Sequence, residues 1–291
     1  MQPLSVVIPA LNEYDNIARV IRAVPVDTLR EQGWVTEILI VDNGSTDGTG
    51  ALARSLGARV VDQPERGYGN AYRAGFDSAS GSVIATADAD LTYPLEHLPV
   101  LLQEFQVRDL EFMTTDRLSR ANRRAMKASH YVANHALSAM SRVLFRHGFR
   151  DSQSGMWIFR KYVWDAIDVR SAGMGFSQEI KHEAFAAGLR CTETPIEYRP
   201  RGGEVKLHAL RDGVRNVREL LEHRRRMTDA RAAARAVTRT SGTTTTLRPH
   251  PERPPDPQLR PLDAQLGPFD PQLRPLDAQL RPLEVPTDPA A

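Results

Sequence analysis

Short apolar segments alternate with helical patterns through the first 90 residues of this 291-residue chain. The apolar segments at 4–8, 37–41, 58–61 and 82–87 are short enough to be buried strands. Helical patterns lie between them at 16–24, 46–56 and 69–80. This alternation predicts an α/β fold built on a mostly parallel sheet. In such a sheet, ligands bind beyond the carboxyl ends of the strands.

The later sequence continues the α/β pattern. We expect strands near 110–114, 156–160 and 194–198. We expect helices near 95–106, 123–146, 161–168, 177–187 and 207–227. One folded domain is therefore predicted over residues 1–228.

Residues 229–291 have a different composition. Between 256 and 283 they contain four copies of a heptad, which begin at Asp256, Asp263, Asp270 and Asp277. A proline in every heptad removes helical hydrogen bonds, which excludes a coiled coil. We predict a disordered, Pro-rich tail, with a docking segment as the alternative.

Composition limits the setting in which the protein works. Cys191 is the single cysteine, so no intramolecular disulfide can form and a cytoplasmic location is expected. We find no signal peptide and no apolar run approaching the roughly 18–20 residues of a membrane span. Basic residues outnumber acidic ones between 190 and 240, which suits phosphates or the inner face of a membrane, or simply a solvated helix. The sequence contains no Gly-x-Ser-x-Gly nucleophile motif and no Walker P-loop, so a hydrolase and an NTPase are not expected. Nothing in it indicates a nucleic-acid partner.

The sharpest chemical signal is Asp88-Ala-Asp90, directly after the apolar segment 82–87. Two carboxylates at a strand end can approach one hard cation, and Mg²⁺ and Mn²⁺ favour carboxylate and phosphate oxygens. Such a cation could neutralise a departing diphosphate. The pattern is weak alone, since many loops contain it by chance.

Two other strand ends carry polar motifs. Asp42 begins an Asp-Asn-Gly-Ser-Thr-Asp-Gly-Thr segment and could accept hydrogen bonds from a nucleobase or ribose. Glu13, in Pro9-Ala-Leu-Asn-Glu13, could bond a ribose hydroxyl. Turn and helix-capping roles are the alternative for Asn12 and for residues 44–46.

These motifs, in this order, resemble family 2 glycosyltransferases of the GT-A fold, and most closely polyprenyl- or dolichyl-phosphate mannose and glucose synthases. The resemblance spans about Pro3 to Glu222. It is carried by Val7–Glu13, Val41–Thr49, Arg66–Tyr72, Ala87–Pro94, Asp151–Lys161, Phe176–Glu179 and Pro195–Leu207. It implies a Rossmann-like, mostly parallel sheet with helices on both faces, and a metal-dependent hexosyltransferase.

The resemblance also implies a division of labour among site residues. The nucleoside pocket would be lined by Pro9, Leu11, Glu13 and Asp42. The diphosphate and its Mg²⁺ or Mn²⁺ would be held by Asp88, Ala89 and Asp90, with Thr92 on the metal side. Arg117 matches the Arg of the family's Gly-Ser-Arg segment and would act in catalysis and nucleotide-sugar binding, although Thr115-Asp116 replaces the small pair there. Phosphate oxygens would be clamped by Arg199 or Arg201, together with Lys206. This clamp departs from the family pattern, because Val205 stands where a Ser is common.

The resemblance implies inverting transfer from a UDP- or GDP-hexose, and leaves the acceptor open. A polyprenyl phosphate is already anionic, whereas a hydroxyl acceptor needs a base, for which Asp151 and Glu179 are candidates. For a lipid acceptor, the stretches 123–146 and 207–227 could lie on an anionic membrane as a peripheral surface, or could be ordinary core packing. A non-catalytic sugar-nucleotide-binding scaffold is the remaining alternative.

Overall fold

In the computed structural model of the protein, the described residues are 1–202, 213 and 215–229. They contain one seven-stranded sheet. Its strands are β1 (Gln2–Ala10), β2 (Trp34–Asp42), β3 (Arg59–Asp62), β4 (Val83–Thr86), β5 (Phe112–Asp116), β6 (Trp157–Arg160) and β7 (Cys191–Pro195). The spatial order is β3-β2-β1-β4-β6-β5-β7. All pairs are parallel except the two made by β6, which confirms the predicted mostly parallel sheet.

Helices connect these strands. They are α1 (Tyr14–Ala23), α2 (Val26–Glu31), α3 (Thr49–Ser55), α4 (Tyr68–Ser78), α5 (Leu98–Val107), α6 (Ala128–Phe145), α7 (Lys161–Ala166) and α8 (Phe176–Ala186). Residues 215–229 form a further helix, α9. None of the described helices is long and apolar enough to cross a membrane.

Both faces of the sheet are covered, as predicted. Successive residues of a strand point to opposite faces, so Val6 and Val7 enter different cores. The first core packs against α1 and α5, and the second against α4, α7 and α8. Gly75 of α4 allows close packing, because a Cβ there would lie 2.5 Å from Val7 Cγ1. Trp157 is fully buried in the second core, as its apolar strand predicts.

Several element boundaries differ from the sequence predictions. The helix predicted over 46–56 begins only at Thr49, because Gly48 has a left-handed φ of 91°. The stretch predicted as one helix over 123–146 is a short 3-10 helix followed by α6, since Lys127 is extended between them. Helix α2 was not predicted. Residues 207–212 of the last predicted helix, and the predicted tail from residue 230 onward, lie outside the described residues.

The topology brings many chain segments to one edge of the sheet. Strands β1, β2 and β4 are parallel and end there. Strands β5 and β7 run in the same direction, because β6 lies antiparallel between β4 and β5. Strand β6 therefore begins at this edge, and the segment that precedes it ends there. With β3, which is parallel to β2, six strand ends and one strand beginning converge on the place where α/β proteins bind ligands.

Candidate active site

The loops after β1 and β2 are tied into one unit. Ala10 pairs with Asp42 at the strand ends. Asn12, at a left-handed φ of 52°, donates its N–H to Ser45 Oγ at 3.0 Å and accepts the Thr46 N–H at 2.8 Å. These bonds fix the first loop against the second, so Asn12 connects two loops and is not the N-cap of α1.

The residues predicted to contact a nucleoside lie on these two loops. Asp42 is half-buried and accepts the Ser45 N–H at 2.8 Å. A Cβ on Gly50 would lie 2.3 Å from Asp42 Oδ2, so glycine is needed there for the carboxylate to lie against α3. Glu13 accepts a hydrogen bond from Asn16 Nδ2 at 2.8 Å. Pro9 and Leu11, which flank Ala10, are also half-buried. The four predicted residues are thus brought to one edge.

Asp88 follows β4 and is held by two tyrosine hydroxyls. The Tyr68 hydroxyl donates to Asp88 Oδ1 at 3.1 Å, and the Tyr72 hydroxyl lies 3.5 Å from the same oxygen. Burial and the negative charge of Asp90 raise the pKa of Asp88 to about 7. A carboxylate in this setting is stabilised by any cation placed beside it.

Asp90 is 4% exposed and has a partner on each oxygen. Oδ1 accepts the Thr92 N–H at 3.1 Å and the Thr92 hydroxyl at 2.6 Å. Oδ2 lies 3.1 Å from Arg201 Nε. The three residues predicted for a metal site, Asp88, Asp90 and Thr92, therefore belong to one loop, and a guanidinium lies against it.

Arg117, directly after β5, forms a buried ion pair with Asp151 from the segment before β6. Arg117 Nε lies 2.7 Å from Asp151 Oδ2, Nη2 lies 3.1 Å from Oδ1, and the Arg117 N–H also donates to Oδ2. Burial acts to raise the pKa of Asp151, but the charge and hydrogen bonds of Arg117 outweigh it and lower the pKa to about 2. Asp151 thus orients Arg117, and its oxygens are poorly placed to accept a proton near neutral pH.

Glu179, the other predicted base, has a different environment. It is 2% exposed and accepts the backbone N–H groups of Arg170 and Ser171. Arg226 Nη2 lies 2.5 Å from its Oε1, and His223 Nδ1 lies 3.4 Å from the same oxygen. These contacts join α8 to α9, and none of them involves the loop that carries Asp88 and Asp90.

The predicted phosphate clamp is described only in part. Arg199 donates its N–H to Thr92 O at 3.0 Å, while its guanidinium contacts Glu96 at 2.5 Å and Glu197 at 3.4 Å. Arg201 contacts Asp90 instead. Lys206 lies outside the described residues.

A cavity of about 460 Å³ opens beside Asp90. One part of its lining is cationic and consists of Arg117, Arg124, Lys127 and Arg201. Another part is apolar and includes Met126, Ala133, Leu137 and Met174. The cavity therefore offers positive charge near the acidic loop and apolar surface along the start of α6.

The oxygen donors suit a hard divalent cation. Two carboxylates and a hydroxyl from Asp88, Asp90 and Thr92 are the donor types that Mg²⁺ and Mn²⁺ prefer. Among the described residues, no group of three or more His, Cys, Asp or Glu side chains could hold a metal by itself.

Sequence reasoning missed several residues at this edge. The hydroxyls of Tyr68 and Tyr72 were inside a quoted motif, but nothing in the sequence pairs them with Asp88. Arg124 and Lys127 were assigned to a continuous helix, which hid their position at the cavity. Gly67 and Gly69 allow close packing at the start of α4, because Cβ atoms there would lie 2.4 and 2.1 Å from the backbone oxygens of Ala172 and Ser171.

Comparison with known proteins identifies the class to which this α/β fold and acidic site belong. The sequence model described as "Glycosyl transferase family 2" matches residues 5–167. The chain belongs to glycosyl transferase family 2, as the sequence motifs indicated.

Individual relatives support this assignment. The low-salt glycan biosynthesis hexosyltransferase Agl6 of Haloferax volcanii is 38% identical over 220 residues, which cover 75% of this chain and 53% of the relative. The chain thus spans about half the length of that protein. A dolichyl-phosphate hexose transferase of the same organism is 31% identical over 72% of this chain and 89% of its own length. The polyprenol monophosphomannose synthase of Mycolicibacterium smegmatis is 30% identical, and the match covers 67% of this chain and 77% of the synthase.

The fold has solved counterparts. The glucosyl-3-phosphoglycerate synthase of Mycobacterium tuberculosis, in complex with Mn²⁺, UDP-glucose and phosphoglyceric acid, superposes with a TM-score of 0.60. It is 20% identical, and the match covers 77% of this chain and 80% of the synthase. At this identity the likeness supports the GT-A fold alone.

Proposed function

We propose that the protein transfers a hexose from a UDP- or GDP-sugar to a polyprenyl phosphate, with inversion at the anomeric carbon. The observation that carries the proposal is the cavity beside Asp90, which combines a cationic lining with apolar side chains. A phosphate joined to a hydrocarbon chain matches both parts. Two relatives named for dolichyl-phosphate or polyprenol phosphate substrates agree with this acceptor class.

The donor would lie along the converging strand ends. In this proposal Glu13 and Asp42 would bind the nucleoside, and Asp88, Asp90 and Thr92 would hold Mg²⁺ or Mn²⁺ beside the diphosphate. When bound, the cation supplies charge stabilisation for the departing nucleoside diphosphate. Arg117, oriented by Asp151, presents a fixed positive charge to the same oxygens or to the acceptor phosphate.

The environment of Asp151 favours a phosphate acceptor over a hydroxyl. A hydroxyl acceptor requires a group that removes its proton. Asp151 has both oxygens bonded to Arg117, and its pKa of about 2 makes it a weak base. A phosphate oxygen already carries negative charge and attacks without such a base.

A lipid acceptor also requires access to a membrane surface. Helix α6 exposes Val132 (66%) and Val143 (78%), and the 3-10 helix Arg120–Arg124 is basic. Apolar and cationic side chains on adjoining segments suit a peripheral contact with anionic lipid headgroups. We therefore propose that the protein acts as a peripheral protein at the cytoplasmic membrane face.

A transfer assay tests the proposal. Purified protein is incubated with labelled UDP- or GDP-hexoses and Mn²⁺, with a polyprenyl phosphate, the matching polyprenol and a soluble sugar as parallel acceptors. We expect label in the lipid phosphate fraction, loss of product with chelator, and loss in Asp90→Asn. Asp165→Asn, an exposed aspartate on α7, is the matched control and should retain transfer. Label in the polyprenol or the soluble sugar alone would reject the phosphate acceptor.

A further inference from the structure

Arg201 lies against Asp90 in the position that a bound cation would occupy. Its Nε lies 3.1 Å from Asp90 Oδ2, while Thr92 bonds the other oxygen. The Asp90 side chain is 6% exposed and that of Arg201 is 29% exposed. The pair is therefore shielded on the aspartate side and open to solvent on the arginine side, so the guanidinium can leave more easily than the carboxylate.

Backbone contacts deliver Arg201 to this position. Residues on both sides of it bond the acidic loop: Arg199 N–H donates to Thr92 O at 3.0 Å, and Gly202 N–H donates to Asp90 O at 2.9 Å. Gly202 O in turn accepts Asn16 Nδ2 at 2.8 Å. A Cβ on Gly202 would lie 2.8 Å from Asn16 Oδ1, so a side chain there would push the segment away from the loop.

The loop that carries Asp88 and Asp90 needs a positive charge beside it, both with and without a bound metal. Asp88 and Asp90 are neighbouring carboxylates on one loop, and their negative charges repel each other. A guanidinium relieves this repulsion when no metal is present. A divalent ion and a guanidinium repel each other and cannot both contact the same carboxylate oxygen closely.

We propose that Arg201 is an internal counter-ion of the metal site, which binds Asp90 in the metal-free protein and is displaced when a divalent cation binds. This rests on the proposed function, because it takes Asp90 as a metal ligand. Once displaced, Arg201 lies beside the diphosphate and contacts it. The same side chain thus opposes binding of the metal alone and favours binding of the metal with a nucleoside diphosphate.

This double role predicts effects of opposite sign in one variant. In Arg201→Met, Mn²⁺ alone should bind about three- to tenfold more tightly than in the wild type, since an ion pair of this exposure no longer competes. In saturating Mn²⁺, UDP or GDP should bind more weakly by at least about threefold, because a contact to the diphosphate is lost. A purely structural role for Arg201 would weaken both.

The affinities can be measured by isothermal titration calorimetry with Mn²⁺ alone and then with UDP and GDP in Mn²⁺. Arg199→Met is the matched control, since it removes the same charge from the same segment but contacts Glu96 and Glu197. It should leave the affinity for Mn²⁺ alone within about twofold. Unchanged or weaker binding of Mn²⁺ to Arg201→Met, or an equal gain in Arg199→Met, would overturn the inference.

Failure of the proposed function gives a different result. Asp90→Asn should abolish the Mn²⁺ signal in both the wild-type and the Arg201→Met background. If Asp90→Asn still binds Mn²⁺ normally, the metal assignment itself is wrong. If it loses Mn²⁺ while Arg201→Met behaves like the wild type, the metal site stands and only the counter-ion role is rejected.

Discussion

Replacing Asp151 with Asn should destabilise the protein strongly, because Arg117 would keep its charge in a buried place without a carboxylate. Asp151 is fully buried and Arg117 is 8% exposed. Removing one partner of a buried ion pair costs about 3–5 kcal/mol. For a domain of this size each kcal/mol corresponds to roughly 2–4 °C in Tm, so we expect a decrease of about 6–20 °C.

Thermal unfolding followed by circular dichroism measures this effect, and the chain contains a matched control. Asp168 pairs with Arg170 at 2.5 Å, but both side chains are about two-thirds exposed. Exposed pairs contribute at most about 1 kcal/mol, so Asp168→Asn should lower Tm by no more than about 4 °C. Equal shifts in the two variants would refute the reasoning from burial.

A double variant separates the cost of losing the ion pair from the cost of leaving Arg117 charged and unpaired. Asp151→Leu combined with Arg117→Met removes both ions and keeps apolar volume, so it should be more stable than Asp151→Asn. It should nevertheless be inactive, because no positive charge replaces Arg117 at the site. A double variant as unstable as the single one would show that the cost comes from packing.

Three further results are expected. Burial lowers the pKa of His147 to about 4, below its value in the unfolded chain, so its contribution to stability is complete above about pH 6.5 and is lost as pH falls towards 4. Urea unfolding at pH 7.5 and 5 should show a loss of about 2 kcal/mol that His147→Phe reduces. A Cβ on Gly155 would lie 2.2 Å from the Tyr68 hydroxyl, so Gly155→Ala should cost about 1–3 kcal/mol in chemical denaturation, whereas Gly148→Ala, with nothing within 4 Å, should cost less than about 1 kcal/mol. The pair Val132→Asp and Val143→Asp should reduce flotation with anionic vesicles at unchanged Tm, and undiminished flotation would remove α6 from the membrane contact.

Much of the fold follows from local sequence signals. The apolar strands that lead to Asp42 and Asp88 lie where the sequence predicts them and belong to the parallel part of the sheet, since buried parallel strands are apolar throughout. Strand β2 is longer than its apolar segment, at Trp34–Asp42 against the predicted 37–41. The antiparallel position of β6 is different, because its orientation depends on which strands it joins in space. Its apolar segment 156–160 gives the strand but not the direction.

The candidate site was predictable in composition but not in contacts. The strand-end rule brings Asp42 and Asp88 to one edge, and the family motifs supply Asp90. The pairing of Arg117 with Asp151 joins positions 34 residues apart, one after β5 and the other before β6, which no local pattern encodes. Glu179 had the residue type of a base, but its buried contacts to α9 could be seen only in three dimensions.

The central claim is that Asp88 and Asp90 hold a divalent cation through which a nucleoside diphosphate binds. Calorimetric titration of the wild type and Asp90→Asn with UDP and GDP, in Mn²⁺ or in chelator, measures this directly. The account predicts that one of the two nucleotides binds the wild type only with Mn²⁺, and that Asp90→Asn does not bind it although it remains folded. Equal affinity in chelator, or an Asp90→Asn variant that binds as the wild type does, would contradict it.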